Sequence, residues 1–217
     1  MKEEKTEEQM KQPFVDPNPP WLDTRLTKEA MDHLWGSSQY GDARETLAGN
    51  ISKSKFIEDK DNWFYENVLK EYAETIYFKE WNNYYNVHVA KSAPPPVFEL
   101  KKLWVNYQKQ HEFNPPHHHI GLFSFVVFMK IPTHWKEQHA LPWLKDAKEP
   151  YTSDFQFILG QGMGPVQSIS IPLCPEDEGR ILFFPAWLTH QVFPFYECEE
   201  ERITISGNII PKINVNT

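Results

Sequence analysis

Three consecutive histidines, His117, His118 and His119, follow Asn114-Pro115-Pro116 and stand just ahead of a strongly apolar run. In an extended chain, residues two apart project to the same side, with about 7 Å between their Cα atoms. His117 and His119 are therefore expected to point one way and His118 the other. Neutral imidazoles converging from one strand edge suit a divalent first-row metal. The same triplet also fits a surface cluster or a capping loop, so the histidines alone leave both readings open.

A second set lies in GRILFFPAWLTHQVFPFYECEEERITISGNI, from Gly179 to Ile209. One strand delivers Pro185, and His190 opens a further alternation with Val192. An acidic turn from Glu197 to Glu201 reverses the chain, after which Arg202, Thr204 and Ser206 share one face of the return strand. A hairpin centred near Cys198 sets Arg202 opposite Phe193 or Phe195, about 10–15 Å along the sheet from His190. From there a guanidinium holds one end of a small dicarboxylate whose other end sits on a metal at His190. Its planar fork meets a carboxylate with two parallel hydrogen bonds. The competing assignment is a surface ion pair of Arg202 with Glu199 or Glu200.

The elements that must position these residues fall into two regions. The first dozen residues are almost all Lys, Glu, Gln and Thr, too polar to bury, so residues 1–25 read as a disordered or irregular leader. Leu26, Ala30 and Leu34 mark one face of a short helix from about Thr27 to Trp35, ended by Gly36. Phe64, Val68, Leu69, Tyr72 and Ile76 follow a helical period, with Asp61 as its cap. Residues 26–97 thus read as a helical support region. Beyond Pro94-Pro95-Pro96 the period changes to two, with strands expected at 103–107, 124–131, 155–159, 168–171, 180–184, 189–193 and 202–210. Many short strands between turn signals suggest a sandwich, barrel or jelly roll over 98–217. The predicted class is α+β, mainly β, with 26–97 and 98–217 forming one compact domain.

Composition narrows the function classes. With 217 residues, 40% hydrophobic and 24% charged, the chain suits one sizeable soluble domain or two cramped ones. Lys+Arg total 22 against 30 Asp+Glu, a net charge of -8, which argues against a basic nucleic-acid face. Small anionic ligands stay open, because they need one or two placed cations. The opening MKEEKTEEQMKQ lacks the apolar core of a secretory signal, and the longest apolar stretch is too short to span a bilayer. Two cysteines, Cys174 and Cys198, cannot build a disulfide framework. No membrane partner and an intracellular, cytoplasmic protein with reduced thiols are expected.

The segments NPPHHH…SFVVF and GRILFFPAWLTHQVFPF…ERITISGN resemble the core of the 2-oxoglutarate/Fe(II)-dependent oxygenases. The branch they resemble most is prolyl-hydroxylase-like and includes many phage-encoded members, which would place such a protein in the host cytoplasm. The resemblance spans roughly Leu103 to Ile210 and rests on three ordered elements: the His-x-His loop, a distal His, and an Arg-x-Thr twelve residues after it. It implies a double-stranded β-helix (the cupin-like jelly roll) carrying Fe(II), with 2-oxoglutarate and O2 as cosubstrates. It also implies hydroxylation of a C–H bond in a protein (peptidyl, prolyl) or small-molecule substrate, with succinate and CO2 as co-products.

By the same resemblance, His117 and His190 are metal ligands. His119 stands where most of the superfamily has a carboxylate, with Glu112 and Asp154 as the nearest acids that could replace it. Arg202 takes the distal carboxylate of 2-oxoglutarate, assisted by Thr204. Tyr107 and Asn106 face the cosubstrate, and Asn208 lies just outside it. The resemblance further implies that the first hundred residues and the segment 134–167 set the substrate. Two alternatives keep the fold: a cupin-like three-histidine metalloenzyme that uses no 2-oxoglutarate, and a non-catalytic jelly-roll component such as a virion protein.

Overall fold

The computed structural model describes residues 21–76, 97–160 and 166–212. The expected irregularity of residues 1–20 and the Pro94–Pro96 break lie outside the described residues. Among the described residues there are eleven strands: β1 (Leu22–Arg25), β2 (Gln39–Tyr40), β3 (Ser54–Ile57), β4 (Phe98–Gln108), β5 (Asn114–His117), β6 (Phe123–Lys130), β7 (Phe155–Leu159), β8 (Gln167–Ile171), β9 (Arg180–Pro185), β10 (His190–Val192) and β11 (Arg202–Pro211). They form a seven-stranded sheet ordered β1-β9-β6-β11-β4-β3-β2 and a four-stranded sheet ordered β5-β10-β7-β8. All pairings are antiparallel. This is the double-stranded β-helix, mainly β with a few supporting helices.

The long β6 shows why the larger sheet is stable. Phe125, Val127 and Met129 on one face join a core built with Ala30, Leu34, Phe64 and Leu69 from the helical side. Val126 and Phe128 on the other face join Phe155, Phe157, Phe184 and Leu188 between the sheets. A strand buried on both faces needs a continuous apolar run, which FSFVVFM supplies.

Helix α1 (Lys28–Gly36) forms as expected, with the Thr27 hydroxyl accepting from the Ala30 amide. The second helical segment departs from expectation. Its cap is Asp59, whose carboxylate accepts from the Phe64 and Tyr65 amides; Asp61 sits in the left-handed region at φ 57°. A π-helical turn, Tyr65–Leu69, then leads into α2 (Lys70–Ile76). A carboxylate reaches free amides only from outside the first turn, and Asp59 has that position.

Three further expectations are corrected. Leu22–Arg25 is not irregular but an edge strand on β9, anchored by the Asp23–Arg180 ion pair and by Trp21 stacked on Phe157 at 4.3 Å. The 26–97 region is not purely helical, because β2 and β3 extend the larger sheet beyond β4. And β10 and β11 do not form a hairpin: β10 pairs with β5 and β7, whereas β11 pairs with β4 and β6. The acidic turn carries the chain from one sheet to the other.

Candidate metal and dicarboxylate site

Pro115 and Pro116 lack ladder donors and belong on an edge strand, and β5 is the edge of the smaller sheet. There His117 pairs directly with His190 on β10. Just past β5, the His119 amide donates to the Ala186 carbonyl at 2.8 Å, which turns its ring back toward the other two. The three ring centroids lie 4.3–5.0 Å apart, and one ligand nitrogen from each falls within 4.8 Å of the others. His118, between His117 and His119 in the chain, is exposed and also borders the cavity.

Backbone carbonyls orient two of these rings. His117 Nδ1 donates to Pro115 O at 2.7 Å and His190 Nδ1 to Leu188 O at 2.9 Å. A carbonyl only accepts, so both Nε2 atoms carry lone pairs. In the 3.2 Å contact between His119 Nε2 and His190 Nε2, His119 must therefore be the donor. Burial holds all three imidazoles below the usual histidine range, with His119 pushed down to about 3 and His190, packed among Phe155, Phe157 and Phe184, well below it. Neutral nitrogens at physiological pH are the state a metal needs. The donor set therefore fits a divalent ion with three nitrogen ligands and further positions free for other ligands.

Arg202 starts β11 on the opposite sheet and is fully buried, which excludes the surface pairing; Glu199 binds Gln110 and Glu200 binds Lys130. Its Nη2 donates to the Ser153 carbonyl at 2.9 Å and also to the Ser153 hydroxyl. Its Cζ lies 5.1 Å from the centroid of the Phe195 ring. Nε and Nη1 are buried without a hydrogen-bond partner. Burial lowers its pKa to about 10 despite the pull of Asp154. A buried guanidinium with two unmatched donors facing a cavity fits one end of a dicarboxylate.

Arg202 and the histidines line the same cavity, of about 400 Å³. Thr204, Asn106 and Asn208 also line it; Asn106 accepts from the Ser54 hydroxyl at 2.7 Å and Asn208 from the Ser124 hydroxyl at 3.3 Å. Tyr107 is a correction. Neighbours on a strand face opposite sides, so with Asn106 inward Tyr107 turns to the helical core, where its hydroxyl meets Gln39. Neither acid reaches the histidines: Glu112 accepts from the Ser52 and Lys109 amides, and Asp154 pairs with His139 at 2.8 Å. No described carboxylate lies close enough to complete the histidine cluster.

Trp104 and Gln108 escaped the sequence reading, although their alternation with Leu103, Val105 and Tyr107 marked them as the inward set once Asn106 was. Trp104 lies 5.8 Å from the His119 ring, and Gln108 pairs in register with Arg202. Thr46, Leu47, Gly49 and Ser54 bring the N-terminal region into the cavity wall, and of the segment 134–167 only Phe155 lines it among the described residues.

The jelly roll thus presents to one cavity a histidine cluster that could hold a metal ion and a buried guanidinium with unmatched donors. The chain matches, over residues 102–208, the family described as "Putative 2OG-Fe(II) oxygenase". It is accordingly an Fe(II)- and 2-oxoglutarate-dependent oxidoreductase that consumes O2. No curated protein matches the sequence.

Among solved structures it is similar to the viral collagen prolyl hydroxylase of Paramecium Bursaria Chlorella virus-1 in complex with 2OG, at 12% identity and a TM-score of 0.48, covering 90% of this chain and 98% of that one. A Pseudomonas putida prolyl-4-hydroxylase gives 10% identity and a TM-score of 0.47, covering 89% and 93%. A prolyl hydroxylase from Trichoplax adhaerens, in complex with a hypoxia inducible factor peptide, gives 12% and 0.46, covering 88% and 84%. No helix among the described residues is long and apolar enough to cross a membrane.

Proposed function

We propose that His117, His119 and His190 hold the Fe(II), that Arg202 with Thr204 binds the distal carboxylate of 2-oxoglutarate, and that the enzyme hydroxylates a C–H bond of a peptidyl substrate, prolyl included, or of a small molecule. The observation that carries this reading is Arg202: fully buried, with two unmatched donors, on the same cavity as three converging imidazoles. When bound, Fe(II) with 2-oxoglutarate and O2 supplies an oxidant for an unactivated C–H bond, with succinate and CO2 as co-products. The chain's own residues bind, orient and exclude water. Pro115 O and Leu188 O fix two imidazoles with their lone pairs inward. Phe155 and Phe184 line the floor beside His190 and keep it dry. Asn106, its carbonyl held by Ser54, turns its amide donors to the cosubstrate.

The test is an anaerobic titration with Fe(II) and 2-oxoglutarate, followed by admission of O2. A weak visible charge-transfer band and succinate release are expected, and both should vanish in His190→Ala. Absence of the band and of 2-oxoglutarate binding in the intact protein refutes the reading.

A further inference from the structure

The charge of the cavity wall opposes that of the chain. Acids outnumber bases 30 to 22 overall, yet no described residue lining the cavity is Asp or Glu, while Arg44, Lys101, Lys102 and Arg202 all line it. Arg202 faces the cosubstrate in the reading above. Arg44 is matched by a bidentate pair with Asp42. Lys101 and Lys102 are exposed, and neither forms an ion pair with a described residue.

A β-bulge puts both lysines on the same face. Along β4, Leu103 and Val105 belong to the core on the helical side, and so do Phe98 and Leu100. The alternation therefore changes phase between Leu100 and Leu103. The register shows where: Asn208 pairs with Lys102 and Ile209 with Leu100, leaving Lys101 as the extra residue. Bulges re-aim side chains in this way. Both ammonium groups thus reach the cavity side, where a regular strand would send one toward the core.

The same register orders the cavity along its length. Arg202 lies opposite Gln108, Ser206 opposite Trp104, and Asn208 opposite Lys102. Arg202 and the lysine pair are thus about 20 Å apart along the sheet. His119 packs beside Trp104, between the two ends. From this polarity we infer that the substrate carries an anionic group, a phosphate or a carboxylate, that docks on Lys101 and Lys102 at the end of the cavity away from Arg202. This rests on the functional reading above. The two cationic ends divide the work: one takes the cosubstrate, the other draws the substrate's C–H bond to the histidine cluster between them.

The test is calorimetric, on protein loaded with Ni(II) and saturated with 2-oxoglutarate so that Arg202 is engaged. The probes are inorganic phosphate and acetate at low ionic strength, where exposed cations are least screened. Saturable binding is expected for at least one probe, weakened about ten-fold or more in the double variant Lys101→Gln/Lys102→Gln. Tighter phosphate identifies a phosphoryl substrate, and tighter acetate a carboxylate one. An unchanged melting temperature shows that the variant is folded. If 2-oxoglutarate itself fails to bind, the functional reading falls. If it binds but neither anion does, or the double variant binds both as well as the parent, the lysine-pair inference alone is overturned.

Discussion

Replacing Arg202 by methionine should separate stability from cosubstrate binding. Burial lowers this guanidinium from 12.5 to about 10, a penalty on its charged form of about 3 kcal/mol in the ligand-free protein. Methionine fills much of the same volume without charge, so that penalty disappears. Against it stands the loss of the bonds to Ser153, worth about 1–2 kcal/mol. The ligand-free variant should therefore be more stable by about 1–2 kcal/mol, raising the melting temperature by several degrees.

Affinity should move the other way. Two charge-assisted bonds to a carboxylate contribute about 3–6 kcal/mol, so the Kd for 2-oxoglutarate should rise about a hundred- to ten-thousand-fold. Scanning calorimetry with and without 2-oxoglutarate, on Mn(II)-loaded protein, reads both effects. The ligand-dependent rise in melting temperature should be present in the parent and absent in Arg202→Met. A variant that melts well below the parent while keeping its 2-oxoglutarate affinity would refute the reasoning, for Arg202 would then be a structural residue.

Two further outcomes follow from the same structure. Burial raises the Asp154 carboxyl to about 6, above its ordinary 3.8, against the pull of His139. Between these values the unfolded chain holds fewer protons than the folded one, so this group's contribution falls as pH rises from about 4 to 6, by up to about 3 kcal/mol. Asp154→Asn should flatten that part of the stability–pH curve measured by urea unfolding, and an unchanged slope would contradict it. Gly207 has no room for a side chain: a Cβ there would lie 2.6 Å from the Lys102 carbonyl and 2.8 Å from the Phe125 ring. Gly207→Ala should cost about 1–3 kcal/mol, with the midpoint of thermal unfolding falling accordingly, and a neutral result would mean that β4 and β6 yield more readily than their register suggests.

What the sequence by itself determined was local. Most strand positions from 103 onward, the span of α1 and the shared face of Arg202 and Thr204 follow from periods of two and 3.6 residues, which depend on near neighbours alone. The phase change in FELKKLWV was also written there, as Leu100 and Leu103 spaced three apart, although it takes the pairing with β11 to make it a bulge. Tyr107 was misplaced because the resemblance set it beside Asn106 on the cosubstrate, whereas neighbours on a strand face opposite sides and only Asn106 lines the cavity.

Only the tertiary structure decided the rest. Whether β10 and β11 pair with each other or with strands far away in sequence depends on long-range burial, which no local pattern encodes. That choice set His190 and Arg202 on opposite sheets across one cavity, and it buried a guanidinium that the sequence could equally have left on the surface. The absence of described acids from the cavity wall is likewise a property of eight strands and two loops brought together, in a chain whose composition points the other way.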